Sequence, residues 1–512
     1  MRDEPLTLPT TVDTLVIGAG FSGLGAAIKL DQAGLGDFIV VDRGRDVGGT
    51  WRDNTYPGAA CDVPSHLYSY SFAPNPNWTQ YYSPQPEIHA YLQDVAEKSG
   101  TLDRFFFETT LEYAAWDDAR QRWVVTLHRD ETSHTVEARH LISGAGGLSE
   151  PRLPDIKGIE EFQGAIFHSA EWDHNIDLTG KRVAVIGTGA SAIQIVPELQ
   201  KIASHLDVHQ RTAPWILPRI EKTYTAREKR RFARDRTRQR LHRGRIWAKA
   251  EFLFPAFTTK PQMMEQAEKA VLGQLKGAIT DPELLAKVTP TTRMGCKRVL
   301  LSNAWYPALM ADNTSLITDG ISHITADGIV VGDTDGGPGE HRPVDVIVVC
   351  TGFHATDHPL AHRITGRDGA NLGALWAEAG MAAYKGTTIH GFPNLFQIVG
   401  PNTALAHSSM VYMIESQVGY AVAAINHLRR EGVGALEPKA EAQQAWNTDL
   451  QERMKSTVWT SGGCASWYLD RHGNNTVLWP RQTYTFHRLL SKFDVEAYDL
   501  TQPVETAAED LS

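Results

Sequence analysis

Short runs of apolar residues, bounded by glycine or charged residues, recur along this 512-residue chain and predict buried strands. Stretches with helical periodicity separate these runs as far as about residue 148. Such alternation is typical of α/β domains built around a parallel sheet. The predicted strands cover residues 14–17, 38–42, 139–143, 182–186, 206–210, 315–318 and 345–349.

The pattern changes between about residues 222 and 290, where it becomes long, charged and helical, as in residues 265–276. Strand signals then return at residues 315–318, and a further helix is predicted over residues 410–425. The intervening stretch therefore indicates a helical insertion. Within its basic run, residues 227–240, acids and glutamine are interspersed at helical spacing, which favours a solvated helix face, with a membrane or polyanion role as the alternative.

The first apolar strand leads directly into the sequence Gly18-Ala-Gly20-Phe-Ser-Gly23, and the next strand ends at Asp42. A strand, a tight glycine turn and a helix N-terminus together form a pyrophosphate site, and the acid that follows suits ribose hydroxyl groups. This setting predicts a first Rossmann-like dinucleotide site.

A second glycine turn, Gly187-Thr-Gly189-Ala-Ser-Ala192, follows the strand at residues 182–186. Here the next strand runs into Arg211 and Thr212 instead of an acid, and arginine suits a ribose 2′-phosphate. Two sites of different character imply two nucleotides, FAD at the first and NADPH at the second. This pair is typical of a flavin oxidoreductase.

Composition narrows the alternatives. The chain is 42% hydrophobic and 21% charged, as expected for a soluble globular protein, and its length predicts two or more domains. No apolar run reaches the roughly 18 residues that span a bilayer, and the polar start lacks a signal-peptide pattern, so a cytoplasmic location is expected. A net charge of -10 gives no support for nucleic-acid binding. The four cysteines lack CxxC spacing, which argues against a disulfide framework and against a thiol-disulfide reductase.

A third motif lies between the glycine turns. It comprises Phe162, Gly164, His168, Trp172 and Asp173, which match the fingerprint F-x-G-x-x-x-H-x-x-x-W-(P/D) of the Baeyer–Villiger monooxygenases. The resemblance runs from Thr11 to about Trp479 and departs at Asp42, where many members carry glutamate, and at Cys350, where alanine is usual. Other matching stretches are residues 48–51, 56–58, 61–62, 297–298, 350–353, 391–396 and 400–402.

The resemblance implies an α/β fold with two Rossmann-like dinucleotide-binding domains, one for FAD and one for NADP, and a helical insertion in the NADP domain. We expect the FAD domain at residues 1–150 and 389–512, the NADP domain at 151–222 and 290–388, and the insertion at 223–289. The implied reaction uses NADPH and O2 to insert one oxygen beside a ketone carbonyl through a flavin C4a-peroxide, giving an ester or lactone. A small ketone and O2 are the expected partners, with no nucleic acid or membrane, and the oligomeric state is left open.

The resemblance also assigns the site residues. Arg298 is expected to supply the fixed cation for the negatively charged tetrahedral adduct, with Asp62 beside it as a second catalytic residue. Phe162, Gly164, His168 and Trp172 are expected to couple the domains, and no metal site is predicted. The expected cofactor-binding residues are Gly18, Gly20, Phe21, Ser22, Gly23, Asp42, Arg43, Gly49, Thr50, Trp51, Tyr56, Asp62, Tyr68, Gly187, Thr188, Gly189, Ala190, Ser191, Gln194, Arg211, Thr212, Lys297, Arg298, Thr351, Gly352, Phe353, Asn402 and Trp467.

Two alternatives remain open. A flavin monooxygenase that oxidises amines or sulfides shares both Rossmann turns and a similar fingerprint, but Trp172-Asp173 and Arg298 favour ketone oxidation. A non-catalytic NADPH-sensing flavoprotein is the other alternative, and the presence of the charged residues named above argues against it. The aromatic residues Trp459, Trp467, Tyr468 and Trp479 favour an apolar substrate without specifying one.

Overall fold

The computed structural model describes residues 7–332, 339–464 and 466–504. Its strands are β1 (Thr11–Ile17), β2 (Phe38–Val41), β3 (Phe105–Phe106), β4 (Thr110–Asp117), β5 (Arg122–Arg129), β6 (Thr132–Ser143), β7 (Ala165–His168), β8 (Arg182–Ile186), β9 (His205–His209), β10 (Ile216–Leu217), β11 (Leu300–Leu301), β12 (Thr314–Ile317), β13 (Ile321–Thr325), β14 (Gly328–Val331), β15 (Glu340–Pro343), β16 (Val346–Val349), β17 (Ile364–Thr365), β18 (Leu395–Gln397), β19 (Ala435–Pro438) and β20 (Tyr498–Thr501). Its α-helices are α1 (Phe21–Gln32), α2 (Thr50–Asp53), α3 (Gln85–Ser99), α4 (Ala192–Leu199), α5 (Ala226–Arg234), α6 (Arg236–Leu253), α7 (Pro261–Ala278), α8 (Pro282–Val288), α9 (Trp305–Leu309), α10 (Leu372–Ala379), α11 (Met410–Glu431), α12 (Ala440–Met454), α13 (Val458–Ser461) and α14 (Thr483–Leu490).

The larger sheet has eight strands in the order β17-β4-β5-β6-β1-β2-β3, and β18 also pairs with β6. Strand β1 lies at its centre, parallel to both β2 and β6. Val16 points into a core shared with α1 and α11, whereas Leu15 and Ile17 join the core on the opposite face. Burial on both faces explains why the last three residues of this strand are all apolar. The first glycine turn follows at the strand's carboxyl end.

The smaller main sheet is fully parallel, in the order β12-β9-β8-β16-β7. Its strands β8, β9 and β16 confirm the buried runs predicted at residues 182–186, 206–210 and 345–349. Strand β7, which ends at His168, is not among the strands predicted from the sequence. It pairs with β16 at the edge of the sheet. The sequence did not reveal this strand because so short a segment shows no clear alternating pattern.

Four helices, α5 to α8, occupy the stretch predicted as a helical insertion, between the paired strands β10 and β11. Helix α5 begins at a capping box formed by Thr225 and Glu228. Helix α6 contacts the segment between α2 and α3. Arg243 on this helix donates hydrogen bonds of 2.8 Å to the carbonyl oxygens of His66 and Ser69. Most residues of the basic run are exposed on α5 and α6, as predicted for a solvated face.

Two connections differ from the sequence prediction. Strand β17 pairs with β4, so the chain rejoins the larger sheet before the boundary expected at residues 388 and 389. A strand of two residues is too short to leave a pattern. Cys296 and Cys464 form a disulfide with their Cα atoms 6.2 Å apart, whereas the sequence argued against a disulfide framework. The two cysteines are 168 positions apart, so their spacing could not reveal the contact.

Cys61 and Cys350 are free and buried. Over the described ranges, no helix is both long enough and apolar enough to cross a membrane.

Candidate functional site

The first glycine turn brings the start of α1 against the end of β1. Gly18 has a φ of +94°, and a Cβ atom there would lie 2.8 Å from the carbonyl oxygen of Gly144. A side chain at Gly23 would collide with the carbonyl of Gly18. Among the residues that the structure describes, no side chain caps α1. Its first backbone amides are therefore available to an anion such as a pyrophosphate.

A cavity of about 290 Å³, here called the β1 cavity, opens at this turn. Many of the predicted FAD residues line it: Gly18, Gly20, Phe21, Ser22, Asp42, Arg43, Gly49, Thr50, Trp51 and Tyr68. Gly23 is instead required for the close packing of α1 on β1. Other lining residues come from distant segments of the chain and were not identified from the sequence. They are Thr109, Thr110, Leu111, Gly144, Gly146, Leu360, Arg363, Val399, Met410 and Ile414.

Asp42 is fixed at the wall of the β1 cavity. Its carboxylate accepts hydrogen bonds from the backbone amides of Ala19 (2.6 Å) and Gly44 (2.7 Å) and from Nη1 of Arg52 (2.7 Å). A carboxylate offers about four acceptor positions, so one remains for a ribose hydroxyl group. Arg52, which the sequence did not single out, also donates to the carbonyl oxygen of Asp46 and orients the acid.

The second glycine turn has the same architecture at the end of β8. Gly187 has a φ of +115°, and a Cβ atom there would lie 2.5 Å from the carbonyl oxygen of Cys350. Ser191 precedes α4 without capping it through its side chain, and Gly189 faces open space. The backbone around Gly189 and Ala190 is thus accessible to a second pyrophosphate, as predicted.

A cluster of cations lies beside this second turn. Lys297 donates a 2.9 Å hydrogen bond from Nζ to Oγ1 of Thr212, and Thr188 donates to the carbonyl oxygen of Thr212 at 3.3 Å. Burial, with a further contribution from the charge of Arg211, lowers the pKa of Lys297. In the part of the chain that the structure describes, no carboxylate forms an ion pair with Lys297 or Arg211. The cluster therefore fits an added phosphate.

Arg298 and Asp62 form a two-point ion pair. Nε of Arg298 lies 2.9 Å from Oδ2 of Asp62, and Nη2 lies 2.8 Å from Oδ1. The charge of Asp62 raises the pKa of Arg298, so the guanidinium stays charged. The two side chains remain 32% and 28% exposed, which leaves room for a ligand. The structure thus unites the two residues that the sequence assigned to catalysis.

Tyr56 and Gln194 link the two sheets. The hydroxyl of Tyr56 donates to Oε1 of Gln194 at 3.0 Å, and Nε2 of Gln194 donates to the carbonyl oxygen of Ala60 at 3.0 Å. Gln194 therefore holds the loop of residues 56–60 against α4. The expected contacts of Tyr56 and Gln194 with the cofactors stay predictions.

The fingerprint packs against the carboxyl end of β16. His168 is 1% exposed, its Nδ1 accepts a hydrogen bond from the amide of Ala170, and its ring lies 5.6 Å from that of Phe353. Burial lowers the pKa of His168, which favours the neutral imidazole. Phe162 is buried in the core beside β7, and Trp172 stacks edge-on against Phe167. This placement suits an indirect role, and domain coupling stays a prediction.

Several other predicted cofactor residues lie away from the β1 cavity. Thr351 donates to the carbonyl oxygen of Arg152, and Gly352 accepts from the amide of Arg152. Asn402 is buried and donates to the carbonyl oxygens of Asn475 (2.7 Å) and Leu478 (3.0 Å). Their roles in binding FAD or NADP stay predictions.

Trp467 is 43% exposed, and its ring lies 4.4 Å from that of Tyr468. It too lies away from the β1 cavity, and its expected contact with the cofactors stays a prediction.

Comparison with known proteins gives matches along nearly the whole chain. Residues 12–232 match the flavin-binding monooxygenase-like family. A Baeyer-Villiger monooxygenase from Pseudomonas aeruginosa is 47% identical over 487 residues, which cover 95% of this chain and 91% of the relative. Cyclohexanone monooxygenase from Rhodococcus sp. Phi1, solved with NADP+, superimposes with a TM-score of 0.85 at 28% identity, covering 97% of this chain and 100% of that one. OTEMO in complex with FAD and NADP has a TM-score of 0.85 at 26% identity, covering 96% and 99% of the two chains.

Proposed function

Because this chain belongs to the Baeyer–Villiger monooxygenase family, we propose that it oxidises an apolar ketone at a site centred on Arg298 and Asp62. The chain is an NADPH-dependent, FAD-containing monooxygenase with two Rossmann-like dinucleotide-binding domains. It inserts one oxygen atom beside a ketone carbonyl, which gives an ester or a lactone. When bound and reduced by NADPH, FAD supplies the electrons that activate O2.

Both glycine turns fit their cofactors. The β1 turn leaves the first amides of α1 uncapped beside the fixed carboxylate of Asp42, which suits the pyrophosphate and ribose of FAD. The β8 turn lies beside the cations Arg211 and Lys297, which suit the 2′-phosphate of NADPH. We propose that the two sheets form the cores of the FAD and NADP domains, respectively.

Arg298 supplies the charge that the reaction needs. Attack on a ketone carbonyl converts its oxygen into an anion, and a guanidinium already fixed in place stabilises that anion without reorganising solvent. Asp62 occupies one edge of the guanidinium through two hydrogen bonds and leaves the other N–H groups available. The ion pair thus orients the cation toward the substrate.

Lys297 and Arg298 connect nucleotide binding with this charge. The two residues are adjacent, yet Lys297 reaches Thr212 beside the second glycine turn while Arg298 reaches Asp62. Binding of a 2′-phosphate at Lys297 would hold the backbone that carries Arg298. We propose that bound NADP(H) therefore helps to position Arg298 as well as to donate electrons.

The substrate class follows from the surroundings of this segment. Trp459 and Tyr468 are each 1% exposed, and Phe257 stacks on Trp459 at 5.8 Å. This apolar packing close to the Arg298 segment favours a ketone with a hydrocarbon body, and structural neighbours include a cyclohexanone monooxygenase bound to ε-caprolactone. The cytoplasmic location expected from the sequence stays a prediction.

Product identification tests this function. Purified enzyme with FAD and NADPH is supplied in turn with linear, cyclic and aryl ketones, and O2 uptake and products are measured. We expect esters or lactones in proportion to the NADPH consumed. Exclusive formation of amine or sulfide oxides, with no ester from any ketone, would contradict the proposal.

A further inference from the structure

The hydroxyl group of Tyr468 is buried without a partner. The side chain is 1% exposed, and none of the described residues forms a hydrogen bond with its hydroxyl group. Buried polar groups in folded proteins are nearly always hydrogen-bonded, to protein groups, to ordered water or to a ligand. The Tyr468 hydroxyl is therefore a donor available to a molecule that binds beside it.

One disulfide bond and one packing contact bring the loop of Tyr468 close to the Arg298 segment. Cys464, four positions before Tyr468, is bonded to Cys296, two positions before Arg298. A Cβ atom at Gly462 would lie 2.8 Å from Cβ of Cys296, so the loop also packs directly on the Arg298 segment. The loop that carries Tyr468 is therefore held against the segment that leads into Arg298.

The electrostatic surroundings support this placement. Burial raises the pKa of Tyr468 to about 12, while the charge of Arg298 lowers it and that of Asp62 raises it. Tyr468 also contributes to the raised pKa of Arg298. The phenol consequently lies within electrostatic reach of both charges and keeps its proton at neutral pH, as a hydrogen-bond donor must.

We propose that the Tyr468 hydroxyl donates a hydrogen bond to the carbonyl oxygen of the bound ketone, beside Arg298, and so stabilises the negative charge that develops there. The inference rests on the proposed function. Tyr468 keeps its proton throughout and forms no covalent bond. Its neutral donor is directional, whereas the guanidinium supplies charge, so the two residues together set where the carbonyl oxygen lies.

The variant Tyr468→Phe removes only the oxygen atom. Tyr306→Phe is the matched control. The Tyr306 hydroxyl is also buried without a partner among the described residues, but this residue lies on helix α9, outside the Tyr468 loop. Three quantities are measured for each variant and the wild type: FAD content, NADPH oxidation without ketone, and ester formation with ketone. Thermal unfolding without ligands shows whether the fold is retained.

For Tyr468→Phe we expect FAD content, Tm and NADPH oxidation without ketone to stay near wild type. Ester formation should fall about 10- to 100-fold, mainly in kcat, with the remaining electrons appearing as H2O2. Tyr306→Phe should leave all these quantities unchanged. Unchanged ester formation in Tyr468→Phe, or a parallel fall in NADPH oxidation without ketone, overturns this inference alone. A wild-type enzyme that forms no ester overturns the proposed function as well.

Discussion

Arg298 and Asp62 lie 236 positions apart in the chain, yet two hydrogen bonds of 2.9 and 2.8 Å align the guanidinium with the carboxylate. One residue precedes β11 and the other follows the buried Cys61 in the loop before α3, so the pair joins segments associated with different sheets. Paired donors of this kind fix orientation as well as charge. The position of the cation therefore depends on how these two segments pack together.

Arg211 should determine the preference for NADPH. If Arg211 contacts the 2′-phosphate as proposed, Arg211→Ala should cost about 1.5 to 3 kcal/mol of NADPH binding, about 10- to 150-fold in Kd. NADH lacks that phosphate, so its affinity should barely change. Titration of both nucleotides checks this, with the exposed Arg227→Ala on α5 as control. Equal losses for both nucleotides would reject the assignment.

His168 should affect the coupling of NADPH oxidation to oxygenation. His168→Ala removes the ring that packs against Phe353 beside the end of β16. FAD should remain bound, ester formation should fall about tenfold through misplacement of the reacting groups, and H2O2 should rise. The exposed His128→Ala on β5 serves as control. Wild-type values of both products would show that His168 only fills space.

Stability should fall in acid because of His66. The ring is buried among Tyr224, Phe232 and His242 of the insertion, and burial, aided by the charges of His242, Arg243 and Lys222, lowers its pKa to about 3. A histidine whose folded pKa is depressed stabilises the fold above its unfolded pKa of about 6.5 and loses that contribution as pH falls toward 3.

Between pH 7 and pH 4.5 this residue should therefore cost about 2.5 kcal/mol of unfolding free energy, at about 1.36 kcal/mol per pH unit below 6.5. Urea unfolding at both pH values, compared between wild type and His66→Gln, measures the difference. His128→Gln should retain the wild-type pH dependence. If His66→Gln retains it too, the buried imidazole does not titrate as described.

The local parts of the two nucleotide sites could be predicted from the sequence. Gly18 and Gly187 each follow a buried apolar strand and precede a helix, and this order is visible over about two dozen residues. Contacts between distant segments could not be predicted in this way. Arg52 donates a hydrogen bond to Asp42 from a short helix whose sequence has no distinguishing pattern. Arg363 lines the β1 cavity although it comes after the strands of the smaller sheet along the chain. The Arg298–Asp62 pair could be predicted only through the resemblance to the Baeyer–Villiger monooxygenase family.

The proposed role of Arg298 in oxygenation is tested most directly by rapid mixing that follows reduction by NADPH and reoxidation by O2 separately. Arg298→Ala should still bind FAD and NADPH, and its ester formation should fall about a hundredfold or more, since a preorganised anion-stabilising donor is lost. Arg298→Lys should recover little, because a point charge lacks the planar donor pair. Near-normal ester formation in Arg298→Ala would contradict the account.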